Sequence, residues 1–428
     1  MVEHIWITEC RAVYDSLLSN LCPVEDVVMA GSRQVRRVEH HPDELIAGLS
    51  NDLCRFRGEW AVPQEQDLHA GSISHRHQLG MDEVRARLPC MTSPSQNDRH
   101  LIVRTHASSA SGSGHVMRCL ALAQAWVDEG GTASFVLAED ALSYALPVLR
   151  EGIEVLQVNA PLGSTADGLE TARLAKGRHA PWVVGDGYAF GEGFQVAARS
   201  HGARLMMIDD DAQIGAYACD LLVDHNADAE PSRYANTSTS PRLLLGARFA
   251  LLRREFRRSS SLGSQPDRRP LRLLVTLGGG DHCGLVGKLL KLVERSDVPL
   301  DVCVAMGMAS ELPTDPGDAR ILTEVEDMAA LMSKTDLAIA TAGTTAWELA
   351  AMGVPSLLGR VADNQDAVAR ALARHGAAVD IGWFEDEIVG ELEALATDRS
   401  RMGAMRDAGI KLVNRGGASA VVGEMLRG

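Results

Sequence analysis

The sequence lacks the features that mark membrane-spanning, secreted and nucleic-acid-binding proteins. No apolar run approaches the roughly 18 residues expected of a transmembrane helix. The start of the chain shows no basic stretch followed by an apolar core, which is the pattern of a secretion signal. Basic residues are too few for a partner with a phosphate backbone, because 42 Lys+Arg stand against 57 Asp+Glu and the formal net charge is −15. We therefore expect a cytoplasmic protein that binds neither membrane nor nucleic acid.

Metal-binding and redox patterns are also missing. The eight cysteines are scattered, with neither a C-x-x-C pair nor zinc-knuckle spacing, which predicts free and mostly buried thiols. His75 and His77 alternate without a third ligand at a suitable spacing, so solvated surface positions are the preferred interpretation.

The 428 residues divide by composition into three segments, enough for two or three domains. Residues 1–100 form an extension of unknown role, predicted to be small and mostly helical or irregular. Residues 101–256 and 268–428 each alternate short apolar runs with helical patterns. The polar run at 257–267 separates these two segments as a linker.

The short apolar runs predict strands that are buried on both faces of parallel sheets. They lie at 101–103, 133–137, 182–184, 205–208 and 221–223 in the second segment, and at 273–277, 300–305 and 337–340 in the third. Because these strands alternate with helices, the predicted fold is α/β, with two tandem Rossmann-type domains. Ligands of such domains bind at the carboxyl ends of the strands, so the predicted site is an inter-domain cleft.

The sharpest motif is Ser111-Gly112-Ser113-Gly114-His115, which follows the first predicted strand and begins a helix. Glycines here let the backbone approach a ligand, and the free N–H groups at a helix N-terminus favour an anion such as a diphosphate. The same positive end of the helix dipole disfavours the imidazolium form of His115, and a neutral histidine can accept a proton. We predict that His115 is a general base; a helix-capping side chain is the alternative.

Two further glycine-containing turns follow predicted strands of the third segment. The turn at 278–281 reads Gly-Gly-Gly-Asp and is a weak signal by itself, because an ordinary tight turn has the same composition. After Gly343, either Thr344 or Thr345 could cap the following helix and bind a phosphate oxygen. Glu348 lies about one turn inside that helix, where its carboxylate could accept both hydroxyls of a ribose; an acid that complements the helix dipole is the alternative.

Carboxylates also follow two predicted strands of the second segment, at Asp186 and at 209–211. Both groups lie on the cleft side, and together they could hold a divalent cation against a phosphate. Two helix N-termini already supply the positive field that a diphosphate leaving group needs. We therefore predict a site without a metal or another cofactor.

Seven segments of the chain resemble, in the same order, the UDP-sugar hydrolases of pseudaminic acid biosynthesis, which are similar to GT-B glycosyltransferases of the MurG type. The matching segments are 104–123, 209–210, 219–226, 246–256, 278–281, 342–348 and 362–365. The resemblance spans about residues 101–385 and does not cover the first hundred. It implies a GT-B-like fold and a UDP-sugar substrate, UDP-2,4-diacetamido-2,4,6-trideoxy-β-L-altropyranose. This sugar would be hydrolysed at C1 with inversion, to UDP and the free sugar, without a metal.

The resemblance also implies roles for single residues. His115 would activate the water, Asp186 and Tyr188 would lie beside the sugar, and Glu348 would hold the uridine ribose. The other implied substrate-binding residues are Gly343, Thr344 and Thr345 at the diphosphate, Asn364 and Gln365 at the sugar or the phosphates, and Arg104, Gly114, Arg118, Asn226, Arg253, Gly279, Gly280 and Asp281 elsewhere in the matching segments.

Three positions depart from the family pattern. His106 stands where an acid usually lies, Phe249 replaces a common tyrosine and so removes a hydroxyl donor, and Gly284 stands where asparagine is frequent. None of the three is the predicted base. The resemblance therefore supports the class of reaction more strongly than the identity of the sugar.

Two other functions fit the same features. In a glycosyltransferase of this architecture, His115 would deprotonate an acceptor hydroxyl instead of water, although the sequence shows no basic amphipathic helix for reaching a lipid acceptor. In a non-catalytic protein that binds nucleotide sugars, residues 1–100 would recruit a partner, and the changes at His106 and Phe249 would suit a degenerate site. The sequence leaves the oligomeric state open.

Overall fold

The structure, a computed structural model, describes most of the chain beyond the N-terminal extension. The described residues are 99–108, 112–210, 212, 214–259, 270–280, 282–307, 312–323, 325–384 and 388–427. The predicted extension at 1–100 lies outside the described residues apart from its last two positions, as does most of the predicted linker at 257–267.

The first lobe is built on a seven-stranded sheet in which every neighbouring pair of strands is parallel. Its strands are β1 (His100–Thr105), β2 (Thr132–Leu137), β3 (Glu154–Gln157), β4 (Trp182–Asp186), β5 (Arg204–Ile208), β6 (Leu221–Asp224) and β7 (Arg242–Leu245), in the spatial order β3-β2-β1-β4-β5-β6-β7. The five strands predicted here are confirmed. The apolar pattern misses β3 and β7, because both are short edge strands that are only partly buried and keep polar residues.

The second lobe has a six-stranded sheet, again parallel throughout. Its strands are β8 (Leu271–Thr276), β9 (Leu300–Met306), β10 (Arg320–Thr323), β11 (Leu337–Thr341), β12 (Ser356–Arg360) and β13 (Val379–Trp383), in the spatial order β10-β9-β8-β11-β12-β13. The three strands predicted here are confirmed. The pattern misses β10 and β13, which are edge strands, and β12, whose five residues include only two large apolar ones.

Helices connect most of the parallel strands. The first lobe carries α1 (Gly114–Asp128), α2 (Leu146–Arg150), α3 (Thr165–Gly177) and α4 (Glu192–Ala198), and α5 (Arg254–Arg258) lies in the connection to the second lobe. The second part of the chain adds α6 (Cys283–Val293), α7 (Met328–Met332), α8 (Thr344–Met352), α9 (Asp366–Arg374), α10 (Ile388–Thr397), α11 (Arg399–Leu412) and α12 (Gly417–Arg427).

The first helix, α1, is buried along almost its whole length, from His115 to Trp126. Its sequence is apolar on nearly every side, as expected of a helix that is packed all round. The indole Nε1 of Trp126 donates to the carbonyl of Arg99 at 2.9 Å, which ties the end of α1 to the residue before β1. This packing holds the N-terminus of α1 at the carboxyl end of β1.

The last helix, α12, returns to the first lobe. Ala418, Val421 and Met425 belong to the same buried cluster as the residues of α1 and β1. The indole of Trp182 in β4 donates to the carbonyl of Met425 at 3.2 Å. Residues 417–427 therefore complete the core of the first lobe, although they lie within the segment 268–428 that was predicted from the sequence as the second Rossmann-like domain.

Candidate functional site

The loops after β1, β8 and β11 meet where the two lobes face each other. A Cβ atom added to Gly279 would overlap the side chain of Ser113, and a Cβ atom added to Gly114 would lie 3.2 Å from Oγ1 of Thr344. The structure thus brings together all three turns that were predicted from their glycines. At both contacts the missing side chain allows the backbones to approach.

Helices α1 and α8 both begin at this meeting point. Ser113 is the N-cap of α1 and Gly343 is the N-cap of α8, and neither provides a side-chain capping hydrogen bond. The capping role considered for Thr344 or Thr345 is wrong, because both threonines lie inside α8. Two positive helix ends without side-chain caps, set against each other, favour an anion between them.

His115 lies on the first turn of α1, and only 7 % of its surface is exposed. Its Nδ1 atom is 2.8 Å from Oδ1 of Asp186 at the end of β4. Its ring meets the ring of Tyr188 edge-on, with 5.0 Å between the centroids. The helix-capping alternative for His115 is wrong, because Ser113 occupies the N-cap and the imidazole pairs with Asp186 instead.

Arg118, one helical turn after His115, joins two carboxylates. Its Nη2 and Nε atoms donate to Asp186 at 2.6 and 2.7 Å, and Nη2 also donates to Asp210 at 2.9 Å. Burial by itself would raise the pKa of both carboxyls, but the charge of Arg118 and its hydrogen bonds hold both pKa values below the usual range. Asp186 is therefore ionised at neutral pH.

The hydrogen-bond directions determine which nitrogen of His115 carries the proton. An ionised Asp186 can only accept, so Nδ1 must be the protonated atom in this pair. Arg118 Nη2 lies 3.0 Å from the same Nδ1, but both groups are then donors and cannot bond to each other. Among the described residues, Nε2 has no hydrogen-bond partner, which leaves its lone pair available for a proton. This geometry suits a general base.

Glu348 of α8 is buried, and it pairs with Arg253 from the connection between the lobes. Nη2 of Arg253 lies 3.1 Å from Oε1 of Glu348, and Arg253 also lies 2.8 Å from Glu255. Burial raises the pKa of Glu348, and the charge of Arg253 opposes the shift. Glu348 is the fifth residue of α8 and the first turn contains no acid, so the alternative of a dipole-complementing acid does not hold.

Asn364 and Gln365 lie in a short 3-10 turn after β12. Nδ2 of Asn364 donates to the hydroxyl of Tyr188 at 2.9 Å, which is a bond between the two lobes. The Tyr188 hydroxyl in turn donates to Oδ2 of Asp210 at 2.9 Å. Gln365 instead accepts from the backbone N–H of Val361 at 2.9 Å, within its own loop. We call His115, Arg118, Asp186, Tyr188 and Asp210 the His115 cluster. The structure therefore brings Asn364 to this cluster, whereas Gln365 is hydrogen-bonded within its own loop.

Asn226 follows β6, and 4 % of its surface is exposed. No hydrogen-bond partner among the described residues reaches either atom of its amide group. The ring of the neighbouring His225 packs edge-on against Trp347 of α8, with 5.9 Å between the centroids. Burial and the charge of Arg118 lower the pKa of His225 to about 4. This segment therefore lies between the lobes, and a buried amide with unmet hydrogen bonds is a candidate ligand contact.

The acidic run at 209–211 divides among different partners. Asp209 accepts a hydrogen bond from Tyr217, and Asp210 binds Arg118, whereas Asp211 lies outside the described residues, as does Asp281. In the part of the chain that the structure describes, no three His, Cys, Asp or Glu side chains are grouped to hold a metal ion.

Gly280 approaches the first lobe at the loop before α1. A Cβ atom added to Gly112, which has φ of +69°, would lie 3.1 Å from the backbone nitrogen of Gly280. Gly112 also donates its N–H to the carbonyl of Ser108 at 2.7 Å. The positive φ and the close approach both require glycine at position 112.

Arg104 is fully buried at the carboxyl end of β1. Its Nε and Nη2 atoms form a two-point pair with Asp167 of α3, at 2.9 and 3.0 Å. Its Nη1 atom donates to the carbonyls of Thr105 and Val136, at 2.8 and 3.2 Å. The guanidinium predicted to bind substrate is thus occupied within the first lobe and has no exposed surface.

Replacing Arg104 with methionine should lower the free energy of unfolding by about 3–5 kcal/mol, because Asp167 would be left as a buried carboxylate without its partner. Urea unfolding followed by circular dichroism measures this. Arg178→Met, which breaks a half-exposed pair with Glu154, is the matched control and should cost about 1 kcal/mol or less. A small loss for Arg104→Met, accompanied by weaker UDP-sugar binding, would mean that Arg104 contacts the substrate.

The three departures from the family pattern lie in different places. His106 follows β1, and burial lowers its pKa; its Nδ1 has no hydrogen-bond partner within the described ranges. Phe249 packs in the buried cluster of the first lobe, with the guanidinium of Arg248 4.8 Å from its ring centre. Gly284 is exposed on the first turn of α6, with open space around it. Of the three, only His106 is shown close to the surroundings of His115, because a Cβ atom added to Gly187, next to Tyr188, would lie 3.7 Å from Cβ of His106.

The raised pKa values of two buried carboxyls beside the His115 cluster predict that the free energy of unfolding decreases as the pH rises. Burial raises the pKa of Asp209 and of Asp224 to about 6, and the charge of Asp210 adds to both shifts. The unfolded chain releases these protons near pH 4, so their stabilising contribution is complete below about pH 4 and is lost as the pH rises through 6. The lowered pKa values of Asp186 and Asp210 have the opposite effect. Their stabilising contribution is lost only as the pH falls below about 4.

We expect the ionisation of each of these two carboxyls to lower the free energy of unfolding by about 1 kcal/mol as the pH rises from 5 to 8. Asp224→Asn should therefore reduce the pH dependence, since an amide does not titrate and can still accept from Tyr234. Urea unfolding at the two pH values measures the slope. Equal slopes for the variant and the parent protein would show that Asp224 titrates alike in the folded and unfolded chains.

Asp210 was placed on the cleft side by the sequence analysis but was not included among the predicted site residues. Two signals in the sequence could have linked Asp210 to His115. His115 and Arg118 are three residues apart on one helix, so a carboxylate that binds one is close to the other. Asp186 and Asp210 end or follow the neighbouring parallel strands β4 and β5, whose carboxyl ends share one edge of the sheet.

The arrangement of two parallel sheets recurs in solved structures. MurG of Acinetobacter baumannii matches with a TM-score of 0.54 and 20% identity, over 77% of this chain and 100% of that one. The S. aureus protein MnaA, solved with UDP, matches with a TM-score of 0.56 and 11% identity, over 76% and 96%. The glycosyltransferase VinC, solved with dTDP, matches with a TM-score of 0.51 and 15% identity, over 77% and 98%. The fold is GT-B.

A sequence relative of this GT-B protein is the spore coat polysaccharide biosynthesis protein SpsG of Bacillus subtilis (strain 168), with 31% identity over 122 residues. The match covers 26% of this chain and 36% of SpsG, so the chain spans about a third of that relative. No model of a known protein family matches the chain. In the described part of the GT-B protein, no helix has the length and apolar character to cross a membrane.

Proposed function

We propose that this GT-B protein is a metal-independent, inverting UDP-sugar hydrolase. Its substrate would be a UDP-2,4-diacetamido-2,4,6-trideoxy-hexose, cleaved at C1 to UDP and free sugar in nonulosonic (pseudaminic) acid biosynthesis. The observation that carries the proposal is the 2.8 Å contact between Nδ1 of His115 and Asp186, which leaves Nε2 as the nitrogen that can accept a proton at the point where the lobes meet. The co-structures of MnaA with UDP and VinC with dTDP, together with the polysaccharide role of SpsG, support a nucleotide-sugar substrate.

In this reaction, Nε2 of His115 takes a proton from water while the water oxygen forms a bond to C1. The bond from C1 to the diphosphate oxygen breaks on the opposite side, and its electron pair leaves with UDP. Asp186, ionised throughout, stabilises the imidazolium that forms. The N-termini of α1 and α8 stabilise the charge that develops on the diphosphate.

The remaining residues divide between the two halves of the substrate. Gly343, Thr344 and Thr345 at the start of α8, with the turn at 278–280, would hold the diphosphate. Glu348 would accept the ribose hydroxyls in place of its present bond to Arg253. On the sugar side, Tyr188 and the buried amide of Asn226 would supply polar contacts.

The test is UDP release from the purified full chain, incubated with the diacetamido UDP-sugar in EDTA and without any acceptor. The proposal expects one UDP per free sugar, and proton NMR should show the first-formed sugar with the inverted configuration at C1. A folded protein that binds UDP but releases none from this substrate would contradict the proposal.

A glycosyltransferase is the second candidate, supported by the match to the glycosyltransferase VinC. In that reaction Nε2 of His115 would take a proton from an acceptor hydroxyl rather than from water. UDP release would then require an added acceptor, whereas the hydrolase releases UDP in its absence. The same assay, run with and without candidate acceptors, separates the two functions.

A further inference from the structure

A continuous row of hydrogen bonds runs from the second lobe to the proposed base. It passes from Asn364 through Tyr188, Asp210, Arg118 and Asp186 to His115, with successive distances of 2.9, 2.9, 2.9, 2.6 and 2.8 Å. We call this row of side chains the relay. We propose that Asn364 and Asp210 are positioning residues. They act through the relay to fix the orientation of the His115 ring, with Nδ1–H bonded to Asp186 and Nε2 able to accept a proton. The inference rests on the proposed hydrolase function.

Every hydrogen bond of the relay pairs one donor with one acceptor, although the bonds do not all point the same way along the row. Ionised Asp210 can only accept, so the hydroxyl of Tyr188 must donate to it. The Tyr188 oxygen then has only lone pairs to offer, which requires Asn364 to present its NH2 group rather than its carbonyl. From the other end, Arg118 and the Nδ1–H of His115 both donate to Asp186. Each bond therefore restricts the orientation of the next side chain.

Tyr188 links the second lobe to the base in two ways. Its hydroxyl orients Asp210, and its ring packs edge-on against the imidazole of His115. Removing the bond from Asn364 would leave the tyrosine held from the first lobe alone. The ring of His115 would then lose part of the contact that fixes its orientation, without losing its proton-accepting nitrogen.

Another contact between the lobes provides a control. Arg374 at the end of α9 pairs with Asp228 at 2.7 Å, and 65 % of the Arg374 side chain is exposed. This pair joins the lobes but makes no bond to any residue of the relay. Arg374→Ala therefore tests whether an inter-lobe contact in general, rather than the relay in particular, affects the base.

The experiment is a double-mutant cycle with Asn364→Ala and Tyr188→Phe, in the full chain, with kcat, KM and the Kd of UDP measured for each protein. Each single variant should lower kcat by about threefold to tenfold, the range of one lost hydrogen bond, and leave the Kd of UDP within about twofold. The double variant should be no slower than the slower single variant, because both changes break the same relay. Arg374→Ala should leave kcat unchanged.

A second readout does not depend on turnover. In protein labelled with ¹⁵N-histidine, the Nδ1–H proton of His115 should give a slowly exchanging NMR signal that broadens or shifts in Asn364→Ala and in Tyr188→Phe but not in Arg374→Ala. If the parent protein releases no UDP, the proposed function fails. The NMR signal would still show whether Asn364 and Tyr188 orient His115.

Three results would overturn the relay. Losses in kcat that multiply in the double variant would show that Asn364 acts independently of Tyr188, for example by touching the sugar. A rise in KM with kcat unchanged would assign Asn364 to binding alone. An unchanged His115 signal in both single variants would show that the second lobe does not orient the base.

Discussion

Replacing His115 with glutamine should lower kcat for UDP release by about 10²–10⁴-fold, the usual contribution of a general base. A glutamine amide can keep a hydrogen bond to Asp186 from the same place on α1, but it has no nitrogen that accepts a proton near neutral pH. The helix N-termini that are proposed to bind the diphosphate stay unchanged, so the Kd of UDP should stay within about threefold. Steady-state UDP release and calorimetric titration with UDP measure the two quantities.

The matched control is His201→Gln, an exposed histidine of the first lobe, which should leave kcat unchanged. If His115→Gln retained full activity, another group would have to activate the water, and His106 would be a candidate because it lies beside Gly187, the residue before Tyr188. If the parent protein bound the UDP-sugar without turnover and His115→Gln bound it equally well, the non-catalytic binding function would be favoured.

Replacing Asp186 with asparagine should lower kcat by a comparable factor, about 10²–10⁴-fold, although Asp186 would not touch the reacting atoms. An asparagine can turn its NH2 group towards Nδ1 of His115, which would move the ring proton to Nε2 and remove the lone pair that is proposed to accept a proton from water. The variant also loses the charge that stabilises the imidazolium. Rate measurements and ¹⁵N NMR of His115 test both effects, since the tautomer is visible in the nitrogen shifts.

Stability must be measured beside the rate, because Asp186 also binds the buried Arg118. Arg118 keeps Asp210 as a charged partner, so the variant should remain folded with a moderate decrease in the free energy of unfolding. Asp228→Asn, at the edge of the first lobe, is the control for loss of a carboxylate. A fully active Asp186→Asn protein would show that the orientation of His115 does not depend on this carboxylate.

Every interior strand except β12 follows from the sequence, because strands buried on both faces need almost continuous apolar residues. The pattern identifies β1, β2, β4, β5 and β6 in the first lobe. It misses β3 and β7, because an edge strand pairs on one side only and keeps polar side chains such as Glu154 and Arg242. Local patterning also fails for α12, whose apolar face shows that it must pack but not which lobe receives it.

In the candidate site, too, local motifs reveal some residues and miss the partners of others. The glycine turn before α1 and the turn at Gly343 are visible as local motifs, and they lead directly to His115 and Glu348. Arg104 is visible as a charged residue at the end of a strand, but its partner Asp167 lies 63 residues away, so its burial could not be foreseen.

By itself the sequence determined the α/β class, all interior strands but β12, and the glycine-led helix start that carries His115, because these depend on the order of apolar, polar and glycine residues over short stretches of chain. Only the tertiary structure decided which side chains act together. His115 and Asp186 are 71 residues apart, and Tyr188 and Asn364 are 176 residues apart. The first pair is set by the neighbouring strands β1 and β4 of one sheet, and the second by how the two sheets place their carboxyl ends against each other; no local pattern encodes either.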